Sequence, residues 1–276
     1  MITLGADPEF FVRDGRTGAT VPIIGLLGGT KGKALPIPGL DTEGFGMQED
    51  NVMAEYNIPA SRTPRGFARS VVEGWSKVAD FVRTKQPNLE PDIGRAARLF
   101  TLEQLAHPQA ATFGCSPDFS AYTQGQPLPS PDPAQLMDDG GAWRFAGGHV
   151  HLGVETAAPD FIVAQFADVF MGLPSVALDK QGMRRTLYGS AGRYRPTSYG
   201  IEYRTLSNFW IWDEDLAEQI GERAARLGVL CADVQEMQRL NAEIPWIDVQ
   251  RAINTEDEEV AADLIAYLSQ DLGMAL

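Results

Sequence analysis

Polar residues recur two apart along this 276-residue chain, and residues i and i+2 of a strand project from the same face. Asp7 and Glu9, Asn51 with Glu55 and Asn57 on one parity, His149 and His151, and Glu202 and Arg204 each form such a set. An unpaired charge is costly to bury, so a sheet face that carries carboxylates, imidazoles and guanidiniums together is usually wet, ion-binding or catalytic. The histidines carry the most information. Two of the three in the chain fall in Gly147-Gly148-His149-Val150-His151-Leu152-Gly153, on one face of one strand bracketed by glycines. Glycine in a strand often marks the close approach of a ligand or another backbone. The third, His107 before Pro108, reads as surface. Arg184, Arg185, Arg193, Arg195 and Arg204 converge on the same region, separated by Tyr188-Gly189 and Gly192. Their donor forks suit phosphate or carboxylate oxygens, and they suit equally a salt-bridge network in an acidic protein.

Other motifs carry less. The loop Gly28-Gly29-Thr30-Lys31-Gly32-Lys33 lacks the spacing of a phosphate-binding P-loop, and there is no dinucleotide-binding glycine fingerprint. Cys115, in Gly114-Cys115-Ser116-Pro117, has no base placed beside it, so it reads as a pocket-lining thiol rather than a nucleophile. With Cys231 it makes only two cysteines, far apart and unpaired in spacing, which fits reduced thiols.

The elements that position these residues are strands alternating with long helices. A hairpin is expected from Glu9–Arg13 and Ala19–Ile24 around Asp14-Gly15-Arg16-Thr17-Gly18. From Asn51 to Ile58 the residues alternate, with Val52, Ala54, Tyr56 and Ile58 on the buried side, which predicts one strand. Thr63-Pro64 starts a helix whose Phe67, Val71, Trp75, Val78 and Val82 form an apolar stripe. Pro127 to Gly141 reads as an exposed loop. Further strands are predicted over Gly148–Val154 and Gly200–Trp210. Asp213 should cap a long helix with Leu216, Ile220, Ala224, Leu227, Val234 and Leu240 on its stripe, and Thr255 with Glu258 has capping-box spacing before the last helix. No repeat or clean linker interrupts the chain, so residues 1–276 are expected to form a single α+β domain.

The formal charge is −14, and most of it lies in the helical C-terminal part, 213–276, where 15 acids face four arginines. Only Lys180 to Arg204 is basic, with six cations, which suits one polyphosphate better than a DNA duplex. The opening MITLGADPEFF lacks the cationic and apolar regions of a secretion signal. The longest apolar stretch, Phe161 to Leu178, is interrupted by Gln165, Asp168 and Pro174. A cytoplasmic protein without membrane or duplex nucleic-acid partners is expected.

Taken in order, Asp7-Pro8-Glu9-Phe10, Gln48-Glu49-Asp50-Asn51 with Glu55, Phe113 to Phe119, Gly148 to Gly153, and Arg193-Tyr194-Arg195-Pro196 leading to Tyr199 to Arg204 resemble the phage-type carboxylate-amine ligases. These are amidoligases of the glutamine synthetase and glutamate-cysteine ligase superfamily, and the resemblance spans about residues 1–212. It implies a curved, mainly antiparallel sheet flanked by helices, as in the glutamine synthetase catalytic domain. It also implies ATP with Mg2+, or Mn2+ in its place, and amide formation between a small-molecule or peptide carboxylate and an amine through an acyl phosphate. By the same resemblance Asp7, Glu9, Glu55, His149 and Glu202 are metal ligands, and Arg193 and Arg195 grip phosphate. Arg204 binds the acid's carboxylate or the transferred phosphate, His151 faces the nucleotide, and Lys31, Asn51 and Asp118 are looser assignments. A homo-oligomer and a phage-encoded protein in the host cytoplasm fit the same picture. Two other readings stay open: a metal-dependent hydrolase that uses His149 and His151 to hold zinc, which leaves the arginines without a task, and an inactive nucleotide or carboxylate binder.

Overall fold

A computed structural model describes residues 2–30, 32–111, 118–129, 132–180 and 182–276. Its first strands are β1 (Ile2–Ala6), β2 (Glu9–Phe10), β3 (Val12–Asp14) and β4 (Thr20–Val21). A hairpin of β5 (Gly46–Asp50) and β6 (Met53–Asn57) leads into α1 (Pro64–Lys85). Next come β7 (Leu89–Pro91), β8 (Ala97–Thr101), the short α2 (Pro108–Ala111), β9 (Asp118–Ser120), β10 (Gln126–Leu128), β11 (Met137–Asp138), β12 (Gly141–Phe145) and β13 (Val150–Val154). Helix α3 (Asp160–Ala167) continues through a π-turn (Asp168–Gly172) into α4 (Leu173–Ser175) and is followed by α5 (Gly182–Leu187). The chain finishes with β14 (Arg193–Thr197), β15 (Gly200–Tyr203), α6 (Glu214–Cys231), α7 (Val234–Glu243), α8 (Trp246–Thr255) and α9 (Glu258–Gln270).

The strands form one six-stranded sheet in the order β1-β13-β15-β14-β9-β10 and three small ones, β11-β12-β8, β2-β6-β5 and β4-β3-β7. Every pairing is antiparallel, so the chain is α+β as expected. On one face of the large sheet Leu4, Ala6, Val150, Leu152, Ile201 and Tyr203 are buried beneath α3 and α6. Burying that face against helices supplies most of the drive to fold. It also leaves the opposite face to residues of the other parity.

Helix α1 begins as its sequence predicts: the Thr63 side chain accepts from the Gly66 amide, Pro64 opens the first turn, and Phe67, Val71, Val78 and Val82 are buried. Elsewhere the boundaries move, each for a local reason. The strand expected over Asn51–Ile58 starts only at Met53, because Asn51 takes a left-handed φ of 57° and turns the chain between β5 and β6. The strand expected to reach Trp210 stops at Tyr203. Beyond it Arg184 donates to the carbonyls of Thr205 (2.7 Å) and Leu206 (2.8 Å), and Asp179 accepts from the Ser207 amide (3.1 Å) and hydroxyl (2.6 Å). Buried side chains thus satisfy much of this backbone, which keeps only an isolated antiparallel bridge between Ser207 and Gly147. Arg185 pairs with the same Asp179 at 3.3 Å, so Arg184 and Arg185 brace the fold rather than join the site. The helix expected from Asp213 is two, since Asp233 caps a new start by accepting from Glu236. The last helix is capped by Asp257, which accepts from Val260, while Thr255 ends α8. The Pro127–Gly141 segment is more than a loop. It contains a short 3-10 turn (Pro133–Leu136) with a capping box on Asp132, and β11 pairs with β12. Among the described residues no helix is long and apolar enough to cross a membrane.

Candidate active site

Strand register decides which side chains meet. Across the large sheet Gly5 lies opposite His151, His151 opposite Glu202, and Glu202 opposite Arg195. Paired residues share a face, so one row crosses four strands on the side away from α3 and α6. Arg193, two residues before Arg195, shares that face. The hairpin turn between β14 and β15 sets the Tyr199 hydroxyl 2.9 Å from His151 Nδ1. In the neighbouring small sheet Glu9 lies opposite Glu55 and Glu55 opposite Gln48, which puts Glu9, Glu55, Gln48 and Asp50 on one face.

Two clusters result. In the first, His149 Nδ1 lies 3.3 Å from Asp7 Oδ1 and 3.4 Å from Glu202 Oε1, and His151 Nε2 lies 3.2 Å from Asp7 Oδ1. In the second, Glu9, Asp50 and Glu55 each present an oxygen within 4.8 Å of the others. Glu9 joins the two. Its amide donates to the Gly147 carbonyl (2.9 Å), and its carboxylate accepts from the Gly147 amide (2.7 Å), two residues before His149.

A cage of arginines closes the first cluster. Glu202 accepts from Arg195 Nη1 at 3.0 Å and from Arg204 Nη1. Asp118 lies 3.0 Å from Arg204 Nε, 3.7 Å from Arg195 and 3.8 Å from Arg193. Arg193 is also held by the Ser190 hydroxyl and the Leu187 carbonyl.

The charge states follow this division. Burial and Asp7 push the Glu202 carboxyl upward, but Arg204, His149 and Arg195 outweigh them and hold it below the usual range. Asp7 is pushed up by burial, yet His151 and His149 bring it well below its ordinary value. His151 is raised: burial opposes this, and Asp7 prevails. His149 is lowered, by burial and then by Arg204. In the second cluster nothing cationic compensates as fully. Burial, then the charge of Asp50, pushes Glu9 up to about 8. Burial, then Asp7, Glu9 and Asp50, raises Glu55 well above the carboxylate range. Glu55 Oε2 is buried with no hydrogen-bond partner among the described residues. Three crowded carboxylates with an orphaned oxygen form a hard-oxygen donor set, which fits Mg2+ or Mn2+.

Asp7, Glu9, Glu55, His149, His151, Arg193, Arg195, Glu202 and Arg204 are thus brought together in this region, and Asp118 with them. Asn51 is not: it accepts from Arg144 Nε (3.0 Å) and donates to the Ala110 carbonyl (2.9 Å), tying the hairpin turn to α2 and β12. Lys31 and Cys115 lie outside the described residues. His107 is on the surface, where its Nδ1 accepts from the Gln109 amide. Sequence reasoning gave no role to Asp50, Tyr199 or Glu49. Reading residues 51–58 as one strand hid the turn that returns Asp50 to the face of Glu55, and no spacing rule links Tyr199 to His151. Glu49 accepts from the amides of Gly25, Leu27 and Gly28 at 2.9–3.0 Å and so shapes the glycine-rich loop.

No curated protein matches the chain. Residues 143–274, just under half of it, match the family model described as phage phiEco32-like COOH.NH2 ligase-type 2. That stretch contains His149, His151, the three clustered arginines and Glu202 but not Asp7, Glu9 or Glu55, so both halves of the chain build the site while one carries the family signature. The matched residues 143–274 are thus similar to the phage-type carboxylate-amine ligases.

Proposed function

We propose that the protein is an ATP- and Mg2+-dependent carboxylate-amine ligase with a glutamine synthetase-like catalytic sheet. The observation that carries this reading is the crowded Glu9, Asp50 and Glu55 carboxylate cluster with an arginine cage beside it. A ligase of this kind must hold a polyphosphate, move the γ-phosphoryl group to a carboxylate oxygen, and let an amine displace phosphate from the acyl phosphate. Each step places negative charge on oxygens, and donors fixed in advance stabilise such charge most.

Glu9, Asp50 and Glu55 are the residues that would hold the metal, with Asp7, His149 and Glu202 as a second set next to them. Bound there, Mg2+ would neutralise phosphate oxygens. Arg193, Arg195 and Arg204 offer forks to the transferring phosphoryl group and to the acid's carboxylate. Glu202 and Asp118 hold those forks in place, so little reorganisation is left for the reaction. His151, oriented by Tyr199 and Asp7, lines the same face toward the nucleotide. The hydrolase reading ranks second, because zinc held by the histidines to activate water would leave Arg193, Arg195 and Arg204, clustered on Glu202 and Asp118, without a task.

Thermal unfolding with a non-hydrolysable ATP analogue, with and without Mg2+, tests the reading, since a ligand bound only by the folded state raises Tm. We expect a Mg2+-dependent rise that Glu55→Gln removes and that loses its analogue response in Arg195→Ala. Failure of Tm to rise at saturating analogue, in protein that retains zinc, would favour the hydrolase.

A further inference from the structure

Outside the site, a cavity of about 290 Å³ is walled by Arg13, Arg83, Arg95 and Arg98 with Glu90 and Asp92. Four guanidiniums against two carboxylates is unusual on a chain with a formal charge of −14. Cross-strand register places Arg13 opposite Glu90, and the pair closes at 2.7 Å through one nitrogen of the arginine. Arg98 is gripped by the buried Asp92 through Nε alone, which leaves both of its terminal nitrogens without a partner among the described residues. Arg83 uses one nitrogen on Asp80, 2.9 Å away. Arg95 has no carboxylate partner among the described residues. The acids therefore orient the guanidiniums without saturating them, whereas a self-sufficient ion-pair network would use both prongs of each fork.

We propose that this cavity binds a small, multiply charged oxyanion, a polyphosphate or a polycarboxylate, at a site separate from the carboxylate clusters. Spare donors from four directions suit several oxygens on one compact ligand, and a monovalent anion would leave most of them unused. Position adds interest: the Asn208 amide donates to the carbonyls of both Glu9 (2.9 Å) and Arg95 (3.4 Å), so the rim of the cavity is tied to the strand that carries Glu9.

Calorimetric titration of the full chain with inorganic pyrophosphate and, separately, with citrate tests this in metal-free buffer at constant ionic strength. We expect saturable binding of at least one anion. Arg83→Ala and Arg95→Ala remove exposed side chains and should each weaken it about tenfold, the loss of one charge-assisted contact. Arg251→Ala, a remote exposed cation, should leave it unchanged. Pyrophosphate binding alone assigns a phosphate ligand, and citrate binding alone a carboxylate. Failure of both anions to bind overturns the proposal, as does binding lost in Arg193→Ala but kept in Arg95→Ala, or weakened equally by Arg251→Ala.

Discussion

Asp168 offers a test of how the helix-covered back of the six-stranded sheet is held. It lies fully buried where α3 enters its π-turn, accepting from the hydroxyls of Tyr203 (2.6 Å), Tyr122 (2.9 Å) and Thr205 (3.4 Å). Burial raises the carboxyl from its ordinary 3.8 to about 6, with the tyrosine hydrogen bonds offsetting only part of the cost of a buried charge. Between those two values the folded protein keeps the proton and the unfolded chain has released it. This contribution to stability is therefore fully present below pH 3.8, falls as pH rises, and is lost above about 6. At about 1.36 kcal/mol per decade of acidity, the window is worth roughly 3 kcal/mol. Asp168→Asn cannot titrate. Urea unfolding of both proteins from about pH 4 to about pH 8 should show the native protein losing roughly 3 kcal/mol relative to the variant across the window, with other titrating groups cancelling in the difference. A flat difference would refute the argument, and a rise with pH would mean that the tyrosines stabilise the carboxylate more than burial penalises it.

Three further outcomes follow from single contacts. Glu49→Ala removes the acceptor of three loop amides and should cost roughly 2–4 kcal/mol, with hydrogen-exchange protection lost first at Gly25, Leu27 and Gly28; unchanged protection there would show that the loop holds itself. Asp179→Ala leaves the fully buried Arg185 without its ion pair and should cost about 3–5 kcal/mol, measured as a fall in the urea midpoint. Gly147→Ala places a methyl group where the His149 ring packs; we expect a folded protein with the Mg2+-dependent nucleotide response reduced about tenfold or more in affinity, and a response equal to the native one would remove His149 from the site.

Much of the grouping of side chains at the candidate site was legible because strand parity is local. His149 with His151, and Arg193 with Arg195, are two apart, and period-two geometry puts each pair on one face whatever the rest of the chain does. Asp7 and Glu9 have the same spacing but straddle the break between β1 and β2, which lie in different sheets, and so they divide between the two clusters. The C-terminal helices were legible in number of turns but not in their breaks: Asp233 and Asp257 cap helices from within a run already rich in acids, where one more aspartate carries no distinctive signal. Asn51 misled for a related reason. A strictly alternating pattern continues through a residue that tolerates a left-handed turn, and only the pairing of Gln48 with Glu55 reveals the hairpin.

By itself the sequence determined the α+β class, the α1 boundary and stripe, and the residue types that meet at the site, since these rest on propensity, capping and periodicity within a few residues. Tertiary structure alone decided that the carboxylates divide into two clusters, that Arg184 and Arg185 brace the 205–207 backbone while Arg193, Arg195 and Arg204 cage Glu202 and Asp118, and that Asp50 and Tyr199 join them. Those outcomes depend on strand register and on which buried groups find partners, and both are settled by contacts between residues as much as about 200 positions apart.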